Sequence, residues 1–163
     1  MTPISNNPSL VLAKRYIRDF EGFAPRIYKC SAKKNTIGFG HAIKQGESFD
    51  EVSITQAEEI LDTDTTEVYT NLFSENGVLF KVNNMLNTYQ KAALVCFVFN
   101  VGIGAFKEST MRRLLIEREI DLAADQFDRW IWFTNANGKK VPSKGLKNRR
   151  VKEKTLFLSK EVC

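Results

Sequence analysis

Apolar side chains recur at helical spacing over most of this chain, and the stretches where that spacing fails are as informative as those where it holds. Ala13, Tyr16, Ile17 and Phe20 lie three or four residues apart behind Ser9, whose hydroxyl suits an N-cap, and Gly22 supplies a stop. The pattern predicts an amphipathic helix over 9–21 with Glu21 at its C-terminal end. The helical period then disappears. Arg26-Ile27-Tyr28-Lys29 and Asn35-Thr36-Ile37-Gly38-Phe39-Gly40 read as short strands joined by a polar turn. Beyond them, Thr55 and Glu58 form a capping box, and Ala57, Ile60, Leu61, Asp64, Val68 and Leu72 continue one face of a long helix. Over 88–101 the apolar positions run without interruption from Ala92 to Phe99, which predicts a helix buried on every side. Ser109 to Ile116, Asp121 to Trp132 and Gly145 to Ser159 return to three-and-four spacing, while Asn135 to Pro142 is a turn-rich interruption.

These elements add up to an α+β, mainly helical fold. A small antiparallel sheet lobe at about 23–54 and a larger helical lobe at about 75–160, completed by the N-terminal helix, are joined by the long helix, with a cleft between them. A chain of 163 residues reads as one domain, 1–163, and is long enough to bury its own core. Apolar content of 43% with 12 Phe excludes a disordered chain. The net charge of +5 favours polyanionic surroundings and decides nothing finer. Cys30, Cys96 and Cys163 are too few and too far apart for a disulfide framework or a metal-binding pair, so a reducing compartment is expected. No basic start precedes an apolar stretch near Met1, and the longest charge-free run, Ala92 to Phe106, is too short for a bilayer. We expect neither a signal peptide nor a transmembrane segment.

The candidate chemistry narrows by elimination. His41 is the only histidine and ends a glycine-rich strand, so its expected role is structural, tying a strand end to a neighbouring carboxylate. Gly38 and Gly40 lack the Gly-Lys-Ser/Thr sequel of a phosphate loop. Asp62 and Asp64 lie too far around a helix to chelate together and read as a solvated face, so neither metal nor cofactor is expected. What remains is a carboxylate at a helix end, a thiol nine positions on and a hydroxyl six beyond that: Glu21, Cys30 and Thr36. Each alone has an ordinary structural explanation.

Together, Glu21-Gly22, Ile27-Tyr28, Cys30 and Thr36-Ile37-Gly38-Phe39-Gly40-His41 resemble the phage-type lysozyme family, glycoside hydrolase family 24. Its triad reads Glu, eight residues, Asp or Cys, five residues, Thr, and 22–29 and 31–35 supply the two intervals. The similarity continues through Phe97-Val98-Phe99-Asn100-Val101-Gly102, Gly104-Ala105-Phe106, Ser109-Thr110, and Gly145-Leu146 with Asn148-Arg149-Arg150, over roughly 9–159. One departure is that the turn 31–35 has no glycine, which makes Asn35 the candidate for positive φ.

The resemblance implies an endolysin that hydrolyses the β-1,4 bond between N-acetylmuramic acid and N-acetylglucosamine in peptidoglycan. Glu21 would be the acid, Arg149 its ion-pair partner, and Phe99 and Ser109 would line the cleft. Cys30 has two open roles: a thiolate base for water held by Thr36, giving inversion, which we prefer, or a nucleophile, giving retention. Of Arg149 and Arg150, only one is expected to face the cleft. The resemblance also implies a monomer in the host cytoplasm that reaches the wall through a separate membrane-permeabilising protein. The alternatives are a lytic transglycosylase, or an inactive basic module binding wall or nucleic acid through the Lys144 to Lys154 run, for which a solvated helix face is the simpler reading. No nucleic-acid partner is expected.

Overall fold

The computed structural model describes residues 4–161. Helix α1 (Pro8–Glu21) is capped by Asn7 and not by Ser9: the Asn7 side chain accepts the Ser9 N–H at 2.9 Å. Pro8 then takes the first helical position, where its missing N–H leaves nothing unpaired, and Ser9 is buried. Gly22, at φ +66, ends the helix, and its N–H bonds the Arg18 carbonyl at 2.9 Å. Glu21 is thereby held in the last turn.

Three antiparallel strands follow in the order β1-β2-β3: β1 (Ala24–Lys29), β2 (Asn35–Gly38) and β3 (His41–Ala42). The sequence pattern merged the last two. Phe39-Gly40 is instead a turn, after which His41 pairs back with Ile37. Tyr28 pairs with Thr36 and Lys29 with Asn35. In the turn between them, Lys33 N–H bonds the Cys30 carbonyl at 2.8 Å and Cys30 N–H bonds the Lys34 carbonyl at 3.0 Å. The positive φ falls on Lys33, at 60°, and not on Asn35, which is already a strand residue. That is the geometry of a short turn closed by a left-handed residue, and it occurs here without glycine.

Helix α2 (Ile54–Phe73) starts from a capping box two residues upstream of the Thr55/Glu58 pair. Gln56 N–H bonds Ser53 Oγ at 3.1 Å and Ser53 N–H bonds Gln56 Oε1 at 2.8 Å. Glu58 is engaged elsewhere, 2.6 Å from Arg18 of α1. Ala57, Leu61 and Leu72 are buried, and α2 packs on α1, β2, β3 and the central helix α3 (Thr88–Val101), so it bridges sheet and helices. Ala92 to Val98 are buried on every side, whereas Phe99, the last residue of the run, is only partly buried. Aromatic packing around Phe97 by Phe106, Phe127 and Trp130, with Phe127 on Phe157, forms the middle of the helical core.

The remaining helices are α4 (Ile103–Lys107), α5 (Thr110–Ile116), α6 (Ile120–Asp125) and α7 (Lys144–Phe157). The helix expected over 121–132 stops at Asp125. A 3-10 turn over Gln126–Arg129 follows, and the chain becomes β4 (Trp132–Thr134). The supposed interruption is the rest of a β-hairpin, with β5 (Lys140–Pro142) paired Trp132 to Pro142, Phe133 to Val141 and Thr134 to Lys140. The β-forming run Trp132-Phe133-Thr134 outweighs the helical spacing of the residues before it. No helix among the described residues is long and apolar enough to cross a membrane.

Candidate active site

Glu21 is fixed from two sides. Arg149 of α7 places Nη1 2.5 Å from Glu21 Oε1, and its guanidinium lies over the Phe20 ring at 4.5 Å and bonds the Cys96 carbonyl at 3.2 Å. On the other side comes Gly40 at φ +80, where a Cβ would stand 2.8 Å from Glu21 Cδ and 3.0 Å from Oε2. Only glycine lets this turn touch the carboxyl. Glu21 therefore has one oxygen committed to Arg149 and the other beside the β2–β3 turn, with a fifth of its side chain exposed.

Cys30 and Thr36 face the same cleft from the end of β1 and the start of β2. Burial pushes the Cys30 thiol up, but the Lys34 backbone, the Thr36 hydroxyl, the Ala32 backbone and the Lys34 charge all favour the thiolate, and together they hold it below the ordinary thiol range. The Thr36 hydroxyl also donates to the Lys34 carbonyl at 3.0 Å. It has one proton, so donation to the carbonyl and donation to the sulfur are alternatives. Tyr28, opposite Thr36 in the sheet, has its phenol pushed up by burial first and by the charges of Glu21 and Cys30 next, which marks it as a neighbour of both. It stays a donor.

The cleft that gathers Glu21, Tyr28, Cys30 and Thr36 has a volume of about 800 Å³, and Phe99 lines it too. Ser109 does not. It caps α5, donating to the Phe106 carbonyl at 2.7 Å and accepting from Arg112 N–H at 3.0 Å, while its neighbour Thr110 reaches the cleft. His41 lies outside the cleft lining and is buried, with Nδ1 2.7 Å from Asp64 and Nε2 2.8 Å from Glu47. Carboxyl groups against both ring nitrogens favour the imidazolium, which can donate to each. The Asp64 bond raises the imidazole chiefly, burial opposes it, and Glu47 adds to the rise. The reading of Asp62 and Asp64 as a solvated face is thus corrected: Asp62 pairs with Lys14, and Asp64 with His41.

Of the two adjacent arginines only one lines the cleft, as expected, but it is Arg150, while Arg149 reaches Glu21 and both are buried. Arg150 is 1% exposed, deeper than Arg149 at 8%. Its Nε donates to the Trp130 carbonyl at 2.9 Å, Nη2 to Asn100 and Nη1 to Glu153, and its guanidinium lies 4.9 Å over Phe97. Glu153 is wholly buried and also faces Arg149 Nε at 3.4 Å. Burial pushes its carboxyl up against the pull of Arg150 and Arg149. One buried carboxylate thus lets α7 bury two guanidinium groups side by side. The signal for it was the Arg-Arg-x-x-Glu spacing, which brings acid and bases onto one helix face. Cys96 is buried in α3, where burial pushes its thiol up, and Cys163 lies outside the described residues.

The family described as phage lysozyme matches residues 18–153, a span that holds Glu21, Cys30, Thr36 and Arg149, and the chain belongs to that family. It is 36% identical over 145 residues to an endolysin of Bacillus phage PZA, covering 88% of this chain and 52% of that protein. It is 35% identical over 150 residues to an endolysin of Acyrthosiphon pisum secondary endosymbiont phage 1, covering 92% and 94%. The chain spans about half the length of the Bacillus phage relatives and nearly all of the endosymbiont phage one. Among solved structures it resembles the muramidase domain of SpmX from Asticaccaulis excentricus, with TM-score 0.72 and 29% identity over 91% of this chain and 95% of that one.

Proposed function

We propose that this chain is the catalytic unit of an endolysin, a glycoside hydrolase that cuts the β-1,4 bond between N-acetylmuramic acid and N-acetylglucosamine in bacterial peptidoglycan and so lyses the host. The observation that supports this reading is the convergence of Glu21, Cys30 and Thr36 on one cleft large enough for a glycan strand.

Cleavage needs an acid on the leaving oxygen and a second group acting at the anomeric carbon. Arg149 and the Gly40 turn fix the Glu21 carboxyl, leaving Oε2 to hand its proton to the glycosidic oxygen. A water between Thr36 Oγ1 and Cys30 Sγ attacks the anomeric carbon and gives a proton to the thiolate, inverting the configuration. Glu21 ends ionised and Cys30 protonated, and exchange with solvent resets both. Because the thiol lies below its ordinary range, a larger share is ready as base near neutrality.

The 163 residues act in this reading as one monomeric domain. They accumulate in the host cytoplasm and reach the wall when a separate protein permeabilises the membrane.

The test is digestion of purified peptidoglycan, borohydride reduction and mass spectrometry. Reducing N-acetylmuramic acid ends are expected, and Glu21→Gln lowers their rate by about 10²- to 10⁴-fold. Anhydro ends would mean a transglycosylase, and binding without cleavage an inactive wall-binding module.

A further inference from the structure

The part of the cleft built by β4 and β5 has no role in the acid and water chemistry, and its composition points to a ligand. Trp132 lines the cleft and is 53% exposed, which leaves on the order of 100 Å² of indole in water. It does not hold the hairpin to the core. Trp130 does that, packed edge-on against Phe97 at 5.3 Å and holding Arg150 through its carbonyl. The pairing of Trp132 with Pro142 and of Thr134 with Lys140 puts Trp132 and Lys140 on one face of the ribbon. The turn beyond them is set by Asn135, whose side chain accepts the N–H groups of Asn137 at 2.9 Å and Lys139 at 3.0 Å. Aromatic ring and ammonium are therefore presented from a fixed frame.

Charge supplies the second observation. Glu21 and Arg150 in the cleft are already paired, with Arg149 and Glu153. The other charged residues lining it are Lys34, Arg129 and Lys140, all exposed, and none has a carboxylate within 4.0 Å among the described residues. Lys34 comes from the β1–β2 turn beside Cys30, and Arg129 and Lys140 from the hairpin and its approach, so the free cations come from both the sheet and the hairpin. Three positive charges without a carboxylate partner in a concave site attract an anion. An exposed indole beside them suits the C–H face of a pyranose ring.

We infer that the β4–β5 hairpin is a recognition arm for decorated glycan. Trp132 stacks on a sugar ring of the strand, and Lys34, Arg129 and Lys140 bind an anionic group hung on that strand, either a carboxylate of a peptide stem or a phosphate of an attached polymer. The identity of the strand rests on the hydrolase reading above, whereas the binding itself does not need cleavage.

The Glu21→Gln form separates the two. Calorimetry would compare three glycans: strands bearing peptide stems, the same strands after an amidase has removed the stems, and stem-free strands bearing phosphate polymer. Bare strands are expected to bind roughly tenfold more weakly than the decorated strand that carries the recognised anion, a difference that shrinks with added salt. The decorated arm that keeps high affinity identifies the anion. Adding Arg129→Ala and Lys140→Ala should erase the preference while leaving bare-strand affinity within about twofold. Trp132→Ala should weaken all three glycans roughly tenfold, and Trp132→Phe should restore most of the loss. Because these side chains are exposed, thermal midpoints should move by less than about 4 °C, which separates lost binding from lost folding. Equal affinity for all three glycans, or a preference that survives the Arg129→Ala, Lys140→Ala double variant, overturns the cation clamp. A twofold or smaller effect of Trp132→Ala overturns the stacking platform. Failure of the parent chain to cut any glycan, with these affinities intact, would overturn the hydrolase reading alone.

Discussion

The cleft borders two pieces of β structure that are built very differently. The three-stranded sheet is pinned at several points: His41 to Asp64 on α2, Val52 N–H to the Pro25 carbonyl at 2.9 Å, and Gly40 against Glu21. The β4–β5 hairpin pairs only with itself over three residues a strand, exposes Trp132 and Phe133, and hangs from Trp130 and Arg150. A two-stranded ribbon of that size is marginal alone. The proposed mechanism puts the chemistry on the pinned piece, where a misplacement of an ångström costs about a hundredfold in rate. In the recognition role inferred above, the hairpin has only to meet a sugar, which tolerates looser placement.

The contrast should be easiest to break at the hairpin's root. Arg150→Ala leaves Glu153 buried with Arg149 alone and takes the donor from the Trp130 carbonyl. Loss of one partner in a buried pair costs about 3–5 kcal/mol, which urea unfolding would read. Arg149→Ala should cost less stability, since Arg150 still holds Glu153, but more activity, since Glu21 loses its partner. Equal unfolding midpoints for the two variants would remove the hairpin's anchor from the account.

A similar-sized effect, mainly on function, is expected at Gly40→Ala. The methyl would meet Glu21 Cδ at 2.8 Å, and φ is +80. The left-handed backbone costs about 1–2 kcal/mol. The contact itself costs little stability, because the carboxyl can swing away, and that swing should lower kcat by about a hundredfold. Should kcat survive while stability falls, the turn would not be what positions the acid.

Which of these features the sequence disclosed follows from the range of the interactions. The helices α1, α2 and α3 were legible because a buried stripe leaves its period in the chain, and the Glu21, Cys30 and Thr36 intervals were legible because they lie within sixteen consecutive positions. Glu153 was hidden because a basic run with one acid looks the same whether its face meets water or Phe97. The cap at Ser109 was misread as a cleft residue because capping and cleft lining ask for the same hydroxyl one position apart. The hairpin was missed because Phe127 and Trp130 extend a helical spacing that only the aromatic packing around Phe97 interrupts.

A smaller effect concerns what pins the sheet. His41 is raised by Asp64 and Glu47, with Lys44 and Glu67 forming the adjoining surface pair. A histidine raised in the folded state contributes stability that is full below its unfolded value of about 6.5 and is lost as pH rises through its higher folded value. Glu47 behaves oppositely. Its carboxyl is lowered by the Lys44 backbone first and by His41 next, so its contribution is lost as pH falls through that lowered value. Stability should therefore decline on the alkaline side of about pH 6.5 in the parent and lose that slope in His41→Asn, measured by unfolding midpoints at several pH values. A parent curve that is flat there would mean the imidazole is neutral when folded.

The smallest effect expected is at Cys30→Asp, and it sharpens the distinction between a pinned wall and a yielding one. The groups that favour the Cys30 thiolate, namely the Lys34 and Ala32 backbone, the Thr36 hydroxyl and the Lys34 charge, belong to a turn whose backbone bonds do not depend on the sulfur. They would serve a carboxylate as well. Cys30→Asp should therefore keep kcat within roughly tenfold of the parent, a change of about 1.4 kcal/mol in barrier. Cys30→Ala should lose most activity with little change in stability, since the side chain is only half-buried. Alkylation of the parent should inactivate it at a rate that rises with pH through a midpoint below the ordinary thiol value of about 8.5, and bound glycan should protect. Cys96, buried in α3 with its thiol pushed up, should stay unreactive until the protein unfolds. If Cys30→Ala lyses walls as fast as the parent, Glu21 and Thr36 carry the reaction without a thiolate base, and the turn's backbone groups have no catalytic charge to stabilise.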